Sequence, residues 1–134
     1  MTKKPKPHNE IYTRLKRSKT HGVGVFAIID IPIGTYMFNH DISELVWFKE
    51  DELNISSLSL PIQKLYNDFC IVKNENGVKK YGCPSSFNSM TISWYLNDSK
   101  TPNVGCDKDY DFYALRDISA GEELTIDYDT YSEE

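Results

Sequence analysis

The chain of 134 residues is 40% hydrophobic and 13% aromatic, and it carries a formal net charge of −5. This length is typical of one domain, and this composition excludes a wholly disordered chain. No apolar run approaches the ~18 residues that a membrane-spanning helix needs, and the polar N-terminus lacks the apolar stretch of a secretory signal. The sequence therefore predicts a cytoplasmic protein, or a nuclear one in a eukaryotic or viral host, with no membrane partner.

Positive charge is concentrated at the N-terminus. Residues 1–20 contain seven Lys or Arg residues and one acidic residue, whereas the rest of the chain has an acidic excess. Residues 1–10, which are rich in Lys and Pro, are predicted to form a flexible basic arm. A nucleic-acid contact by this arm is the less favoured alternative, and the acidic body suits a basic partner such as a Lys- or Arg-rich peptide.

The three cysteines, Cys70, Cys83 and Cys106, are widely spaced in the sequence. None stands in a Cys-x-x-Cys or Cys/His pattern that would indicate a zinc site. We therefore expect three buried free thiols and no bound metal.

The N-terminal half is predicted to contain short strands. Ile11–Leu15 alternates apolar and polar residues, as an edge strand does, and Val23–Ile29 is apolar enough for a buried strand. Asp30–Gly34 is predicted to be a turn, followed by extended structure at Thr35–Asn39. Ile42–Phe48 is too short for periodicity to distinguish a strand from a helix.

A helix and a hairpin are predicted in the middle of the chain. Pro61–Phe69 has helical apolar spacing and a proline in its first turn. Asn74–Gly77 has the composition of a hairpin turn and joins two predicted strands, Cys70–Lys73 and Val78–Tyr81. Ser89–Leu96 again has helical spacing.

Two strands are predicted near the C-terminus, at Asp111–Arg116 and Leu124–Tyr128, with a turn at Asp117–Gly121 between them. No βαβ pattern and no internal repeat is present. Many short strands with a few short helices predict a mainly β fold, a β-rich α+β domain.

A glycine pair at Gly22-Val23-Gly24 is the first candidate binding motif. Two close glycines let backbone amides approach a ligand. The motif is not a dinucleotide-binding fingerprint, because no third glycine follows and the next residues are predicted to be a strand. Taken alone, it indicates a hairpin turn.

Two further motifs lie in the C-terminal third of the chain. Asn97–Asn103 is a polar loop that ends in Pro-Asn, and on its own it indicates a turn. Gly121–Tyr128 reads Gly-Glu-Glu-Leu-Thr-Ile-Asp-Tyr. Glu122 and Glu123 are adjacent in a strand and point to opposite faces, so we interpret them as structural rather than as a catalytic pair.

In this order, the three motifs resemble those of the SET-domain protein lysine methyltransferases, and in particular the minimal stand-alone SET proteins of viruses and bacteria. The resemblance covers residues 11–131 and implies a single catalytic domain there, followed by a tail at 132–134. It implies a β-clip of short sheets in which a C-terminal segment passes through the Asn97–Asn103 loop in a pseudoknot-like manner.

The resemblance also implies S-adenosylmethionine as the cofactor and a lysine ε-amine of a basic protein as the methyl acceptor. Tyr128 stands at the position of the family's catalytic tyrosine. Asp98 replaces a histidine that is usual in the family, and its carboxylate could accept from the adenine amine or attract the sulfonium. The residues implied to bind the cofactor are Gly22, Val23, Gly24, Asn97 and Asp98.

The substrate channel is the least defined part of the resemblance. The family's C-terminal cap is absent or reduced to Asp129–Glu134, where Tyr131 is expected to supply an aromatic wall. Phe38 or His40 is expected to line the channel, which leaves homodimerisation open as a way to complete it. The alternative reading is a catalytically silent SET-like module that binds basic peptides.

Overall fold

The computed structural model describes residues 4, 6–39, 41 and 44–133, which contain nine short strands in two sheets. The strands, in chain order, are β1 (Thr13–Arg17), β2 (Val23–Ala27), β3 (Val46–Lys49), β4 (Ile71–Glu75), β5 (Val78–Cys83), β6 (Asn97–Asp98), β7 (Val104–Cys106), β8 (Phe112–Ala114) and β9 (Glu123–Ile126).

Helices are few and short. The α-helices are α1 (Glu50–Leu53) and α2 (Leu60–Phe69), and 3-10 turns form at Ile55–Ser57, Phe87–Ser89, Ile92–Tyr95 and Tyr128–Thr130. Within the described residues, no helix is long and apolar enough to cross a membrane. The mainly β fold that the sequence predicts is confirmed.

The larger sheet has the order β1-β2-β9-β7-β8, and β6 also pairs with β9. Strand β9 is central: it is antiparallel to β2, with Val25 opposite Leu124, and parallel to β7, with Val104 opposite Ile126. These four side chains are at most 1% exposed and lie in the middle of the core. Packing around β9 therefore fixes the position of the residues that follow it, including Tyr128.

The loop between β6 and β7 holds β9 through its side chains as well as its backbone. Asn97 pairs with Thr125 in the parallel β6–β9 ladder. Asn103, 3% exposed, donates from Nδ2 to the carbonyl of Glu123 (2.9 Å) and accepts at Oδ1 from the amide of Thr125 (2.8 Å). The Asn97–Asn103 loop thus bonds to the C-terminal strand, as the resemblance leads one to expect.

The smaller sheet has the order β3-β5-β4. Its β4–β5 hairpin turns at Asn76-Gly77, where both residues have positive φ (51° and 78°), as a two-residue type I′ turn requires. Helix α2 ends at Phe69, and only Cys70 separates it from the first residue of β4.

Several predicted boundaries need correction. The helix predicted at Ser89–Leu96 is only a 3-10 turn, and the segment predicted as extended at Thr35–Asn39 pairs only at Thr35, with Ala114, before turning at residues 37–39. Strands β6 and β7 were not predicted. Both are too short for periodicity to detect, and they form because β9 offers them an edge.

Candidate active site

A polar network centred on Asn97 joins three distant segments. Asn97 is 8% exposed, and its Nδ2 donates to the carbonyl oxygens of His21 (2.9 Å) and Val23 (3.3 Å) and to Glu123 Oε2 (2.8 Å). Three acceptors around one nitrogen fix the orientation of the amide. Glu123 Oε1 accepts in turn from the hydroxyl of Ser18 (2.8 Å). We call these residues, with Gly22 and Gly24, the Asn97 network.

The two glycines of the motif have different roles in this network. Gly22 has φ of +50°, and a Cβ added there would meet nothing within 4 Å. Gly24 lies against Glu123, and a Cβ added there would be 2.4 Å from Glu123 Oε2. Gly22 is therefore required by the backbone conformation, whereas Gly24 makes room for the carboxylate that holds Asn97.

Asp98 connects the loop to the candidate catalytic tyrosine. Its Oδ1 accepts from the backbone amide of Tyr128 (2.8 Å). Its other oxygen has no hydrogen-bond partner among the described residues, and the residue is exposed. The carboxylate thus has a structural role, because it holds the backbone of Tyr128 through one of its two oxygens.

Tyr128 is positioned through its hydroxyl, which donates to the carbonyl of Leu96. Burial, reinforced by the negative charges of Asp98 and Asp68, raises the pKa of Tyr128 to about 12. The phenol is therefore protonated at neutral pH, and because its proton is engaged by Leu96, its oxygen is available as an acceptor.

An ion-pair cluster fastens the segments on either side of Tyr128. Lys100 contacts the carboxylates of Asp127 and Asp129, and these two acids hold the pKa of Lys100 above its usual value. All three groups are on the surface, so we expect the cluster to contribute little stability. It joins the Asn97–Asn103 loop to the turn that carries Tyr128.

A cavity of about 390 Å³ lies beside this region, and half of the residues that line it are aromatic. Its wall contains Phe38 and Tyr131, two of the predicted channel residues, together with Phe112 between them. The ring centroids of Phe38 and Phe112 are 6.1 Å apart, those of Phe112 and Tyr131 are 6.2 Å apart, and those of Tyr131 and Tyr128 are also 6.2 Å apart. We call these four residues the aromatic row.

A smaller cavity of about 60 Å³ contains Tyr128 in its wall. It shares three residues with the larger cavity: Phe69, Ile71 and Tyr131. Phe69 and Tyr131 are the two aromatic side chains that line both spaces, and burial raises the pKa of Tyr131 well above the usual tyrosine value. The aromatic row leads from the larger cavity towards the hydroxyl of Tyr128.

The acids around the larger cavity are not equivalent. Asp41 accepts from the hydroxyl of Thr91 and the amide of Ser93, and so it anchors the segment before Asn97. Asp109 and Asp111 also line the cavity and are exposed, and neither side chain has a hydrogen bond or ion pair to the described residues. These two carboxylates add negative charge to the wall of the cavity.

The structure brings the predicted site residues together in two groups. Gly22, Val23, Gly24 and Asn97 form one contiguous network, with Asp98 joining it to Tyr128. Phe38 and Tyr131 form the aromatic row with Tyr128. The glycine motif, Asn97 and Asp98 line neither of these two cavities, nor a third one of about 220 Å³ whose wall includes Tyr12, Met37 and Ile92. His40 lies outside the described residues.

Sequence reasoning missed part of the site. The structural interpretation of the acidic pair is supported, since Glu122 pairs with Arg116 (2.9 Å) while Glu123 points away from it to Asn97. The link from Glu123 to Asn97 was not foreseen, nor was Phe112 in the aromatic row. The aromatic-rich run Tyr110–Tyr113 was the only signal for the latter.

No metal centre is evident in this region. Within the described part of the chain, no group of three or more His, Cys, Asp or Glu residues could hold a metal ion.

The sequence profile of the SET domain matches residues 22–129, which is most of the chain. The protein therefore belongs to the SET-domain family. No curated protein sequence matches the chain significantly.

Solved structures agree with this assignment at the level of the fold. A protein of Plasmodium falciparum described as a candidate histone methyltransferase superposes with a TM-score of 0.53 at 17% identity, over 88% of this chain and 93% of its own. A humanized mutant of the Chaetomium thermophilum Polycomb Repressive Complex 2, bound to an inhibitor, gives 0.59 at 19% identity, over 92% of this chain and 16% of its own. Both are similar to this chain in fold.

Proposed function

We propose that this protein is an S-adenosylmethionine-dependent protein lysine N-methyltransferase that acts on a basic protein. The observation that carries the proposal is the aromatic row. Three of its four rings line a cavity whose wall also contains acidic side chains, and the fourth ring is that of Tyr128, whose backbone amide donates to Asp98 of the family's cofactor motif. Family membership and fold support the same activity.

The Asn97 network offers groups that fit the proposed cofactor. Asn97 uses its amide nitrogen within the protein, and its Oδ1 has no partner among the described residues. The free oxygen of Asp98 is a second acceptor, and oxygen acceptors of this kind suit the ammonium, adenine amine and sulfonium of S-adenosylmethionine. Open space beside Gly22 leaves its backbone accessible. When bound, the cofactor supplies an electrophilic methyl group.

The aromatic row would act on the substrate lysine. At pH 7 a free lysine is almost wholly protonated, and neutralising it costs roughly 4–5 kcal/mol from a reference pKa near 10.4. Aromatic walls disfavour the ammonium by desolvation and lower that cost. Asp109 and Asp111, which are exposed in the cavity wall, would attract the cation, which favours basic substrates.

Tyr128 would position the amine at the end of the row. Its proton is engaged by the carbonyl of Leu96, so its oxygen can accept from the lysine N–H and hold the nitrogen in line for attack. With a pKa of about 12, Tyr128 would act as a neutral hydrogen-bonding group rather than as a phenolate base.

A catalytically silent module that binds basic peptides is the second candidate. It is favoured by one observation, namely that the glycine motif and the Asn97–Asp98 pair line none of the three cavities. In that case the aromatic cavity would bind a lysine without turnover.

The test combines cofactor binding with methyl transfer. Isothermal titration is expected to give micromolar affinity for S-adenosylmethionine, about −8 kcal/mol. Labelled methyl transfer onto lysine-rich basic peptides is then compared with matched peptides in which every lysine is arginine. Label on the lysine peptides alone supports the enzyme. Cofactor binding without label on any lysine-containing protein of a host lysate supports the silent module, and no cofactor binding refutes the proposed methyltransferase.

A further inference from the structure

Two of the three cysteines face each other across the β4–β5 hairpin. The last ladder pair of the hairpin is Ile71 with Gly82, so the next residues outward, Cys70 and Cys83, are directly opposite. Both are free thiols. Cys83 is buried as predicted, at 3% exposure, whereas Cys70 and Cys106 are only partly buried, which corrects the expectation of three buried thiols.

The position of the pair in the ladder suits a disulfide. The two-residue turn makes Glu75 and Val78 a hydrogen-bonded pair, and alternation along the ladder makes Cys70 and Cys83 a non-hydrogen-bonded pair. Accordingly, the amide of Cys70 bonds outside the ladder, to the carbonyl of Tyr66 (3.1 Å). Non-hydrogen-bonded pairs have Cα atoms about 4.5 Å apart, within the range that a disulfide spans.

Each of the two thiols affects the pKa of the other. A hydrogen bond between the thiols raises the pKa of Cys70 and lowers that of Cys83. Cys106 lacks such a partner: its pKa is raised to about 11, chiefly by burial. Cys83 is therefore the thiol of the three whose pKa is lowered, and the thiolate is the reactive form of a cysteine.

We propose that Cys70 and Cys83 are an oxidation site, at which a peroxide converts the two thiols into a reversible intramolecular disulfide. One sulfur attacks the peroxide O–O bond and becomes a sulfenic acid as one water leaves. The second sulfur then displaces the sulfenic hydroxyl, which leaves as a second water. The two thiols lose two electrons and two protons in total, and the peroxide is reduced to water.

The position of Cys70 determines both how an oxidant reaches the thiol pair and how a disulfide would affect the candidate active site. Cys70 lines the smaller cavity together with Tyr128, so a small oxidant can reach the pair from the candidate site. Its neighbours Phe69 and Ile71 line both cavities. A bond from Cys70 to β5 would fix the end of α2 and restrict these two side chains. This effect on the site depends on the proposed function, but formation of the disulfide does not.

The test counts thiols after oxidation. The folded protein is treated with hydrogen peroxide, unfolded, alkylated and analysed by mass spectrometry. We expect two of the three alkylatable thiols to be lost together in the wild type, with a mass lower by two hydrogens before alkylation, and dithiothreitol to restore both. Cys106→Ser, the matched control, should still lose two thiols, whereas Cys70→Ser should form no intramolecular disulfide.

Other outcomes would overturn the proposal. Oxidation of Cys106 before the pair, disulfide-linked dimers as the main product, or sulfinic acid at Cys70 with Cys83 still free would each do so. Cys83→Ser puts a hydroxyl in a buried position, so Cys70→Ser is the decisive variant. If the disulfide forms but methyl transfer is equal in the oxidised and reduced proteins, the oxidation site is confirmed. The inferred effect of the disulfide on the candidate active site is then wrong.

Discussion

The Asn97 network and the aromatic row meet at Tyr128 but are built in different ways. The network is polar, and nearly every donor in it has a partner, so one side chain such as Glu123 holds several others in place. The row consists of edge-to-face ring contacts around a cavity, with few hydrogen bonds. Substitutions in the network should therefore act abruptly, because they leave buried groups unpaired. Substitutions in the row should act gradually, through packing and desolvation.

The largest effect is expected where the two regions meet. Tyr128→Phe keeps the ring but removes the hydroxyl that bonds Leu96, and we expect methyl transfer to fall by about 10²-fold or more, the scale of a lost positioning or acid–base group. Stability should change by only about 1 kcal/mol, the net worth of one hydrogen bond. Single-turnover transfer and denaturant unfolding measure the two quantities.

Tyr131→Phe is the matched control for this change, since Tyr131 belongs to the same row and shares the smaller cavity. No hydrogen bond from its hydroxyl is present among the described residues, so transfer should fall far less than in Tyr128→Phe. Equal losses in the two variants would show that the two hydroxyl groups contribute alike and that Tyr128 has no special role. Unchanged turnover in Tyr128→Phe would exclude that residue from the mechanism.

The pH dependence of methyl transfer tests whether Tyr128 acts as a neutral hydroxyl group. Because its pKa is about 12, the hydroxyl remains protonated throughout the range in which lysine begins to lose its proton. The rate at subsaturating peptide should therefore rise between pH 7 and 9, with no descending limb from Tyr128. A descending limb in wild type that Tyr128→Phe abolishes would contradict the neutral role.

A second comparison uses two buried asparagines on opposite sides of the same loop. Asn97→Ala should weaken S-adenosylmethionine binding by about 1–3 kcal/mol, since it removes the open Oδ1 and leaves the carbonyls of His21 and Val23 unpaired. Asn103→Ala removes bonds only to the backbone of β9, so it should lower the free energy of unfolding by about 1–3 kcal/mol instead. Calorimetry on both variants separates the two roles.

The result that would contradict this distinction is a similar loss of cofactor affinity in both asparagine variants when both are fully folded. Unchanged affinity in Asn97→Ala would exclude that residue from the cofactor site.

The sequence predicted the residues of the Asn97 network better than those of the aromatic row. Gly22, Asn97 and Tyr128 stand in contiguous motifs whose residue types are set by local chemistry, and the structure places them next to one another. Phe38, Phe112 and Tyr131 come from three segments without a shared pattern, and the extended segment predicted around Phe38 is in fact a turn. Even in the network, the bond from Asn97 to Glu123 spans 26 residues, and no periodicity reports a contact of that kind.

Substitutions of the two glycines in the motif test the Asn97 network without changing Asn97 itself. Gly24→Ala would displace the Glu123 carboxylate from Ser18 and Asn97, and we expect a loss of about 1–3 kcal/mol in stability. Gly22→Ala meets open space and should cost about 1 kcal/mol through its left-handed backbone. Asn tolerates that conformation, so Gly22→Asn should recover part of the loss and Gly24→Asn should not. Thermal unfolding of the four variants measures these differences in stability.

The smallest effect is expected at Asp98, where the network and the row are joined by one hydrogen bond. Asp98→Asn can still accept from the amide of Tyr128, so stability should change by less than about 0.5 kcal/mol, whereas Asp98→Ala should cost about 1 kcal/mol, as the loss of a capping side chain does. The affinity for S-adenosylmethionine then tests the charge alone. If the carboxylate attracts the sulfonium, Asp98→Asn weakens binding and does so less at high salt, because screening already reduces the attraction. If the affinity is the same in both proteins at every salt concentration, Asp98 acts only by holding Tyr128, and the residue that differs from the family's usual histidine is a positioning residue.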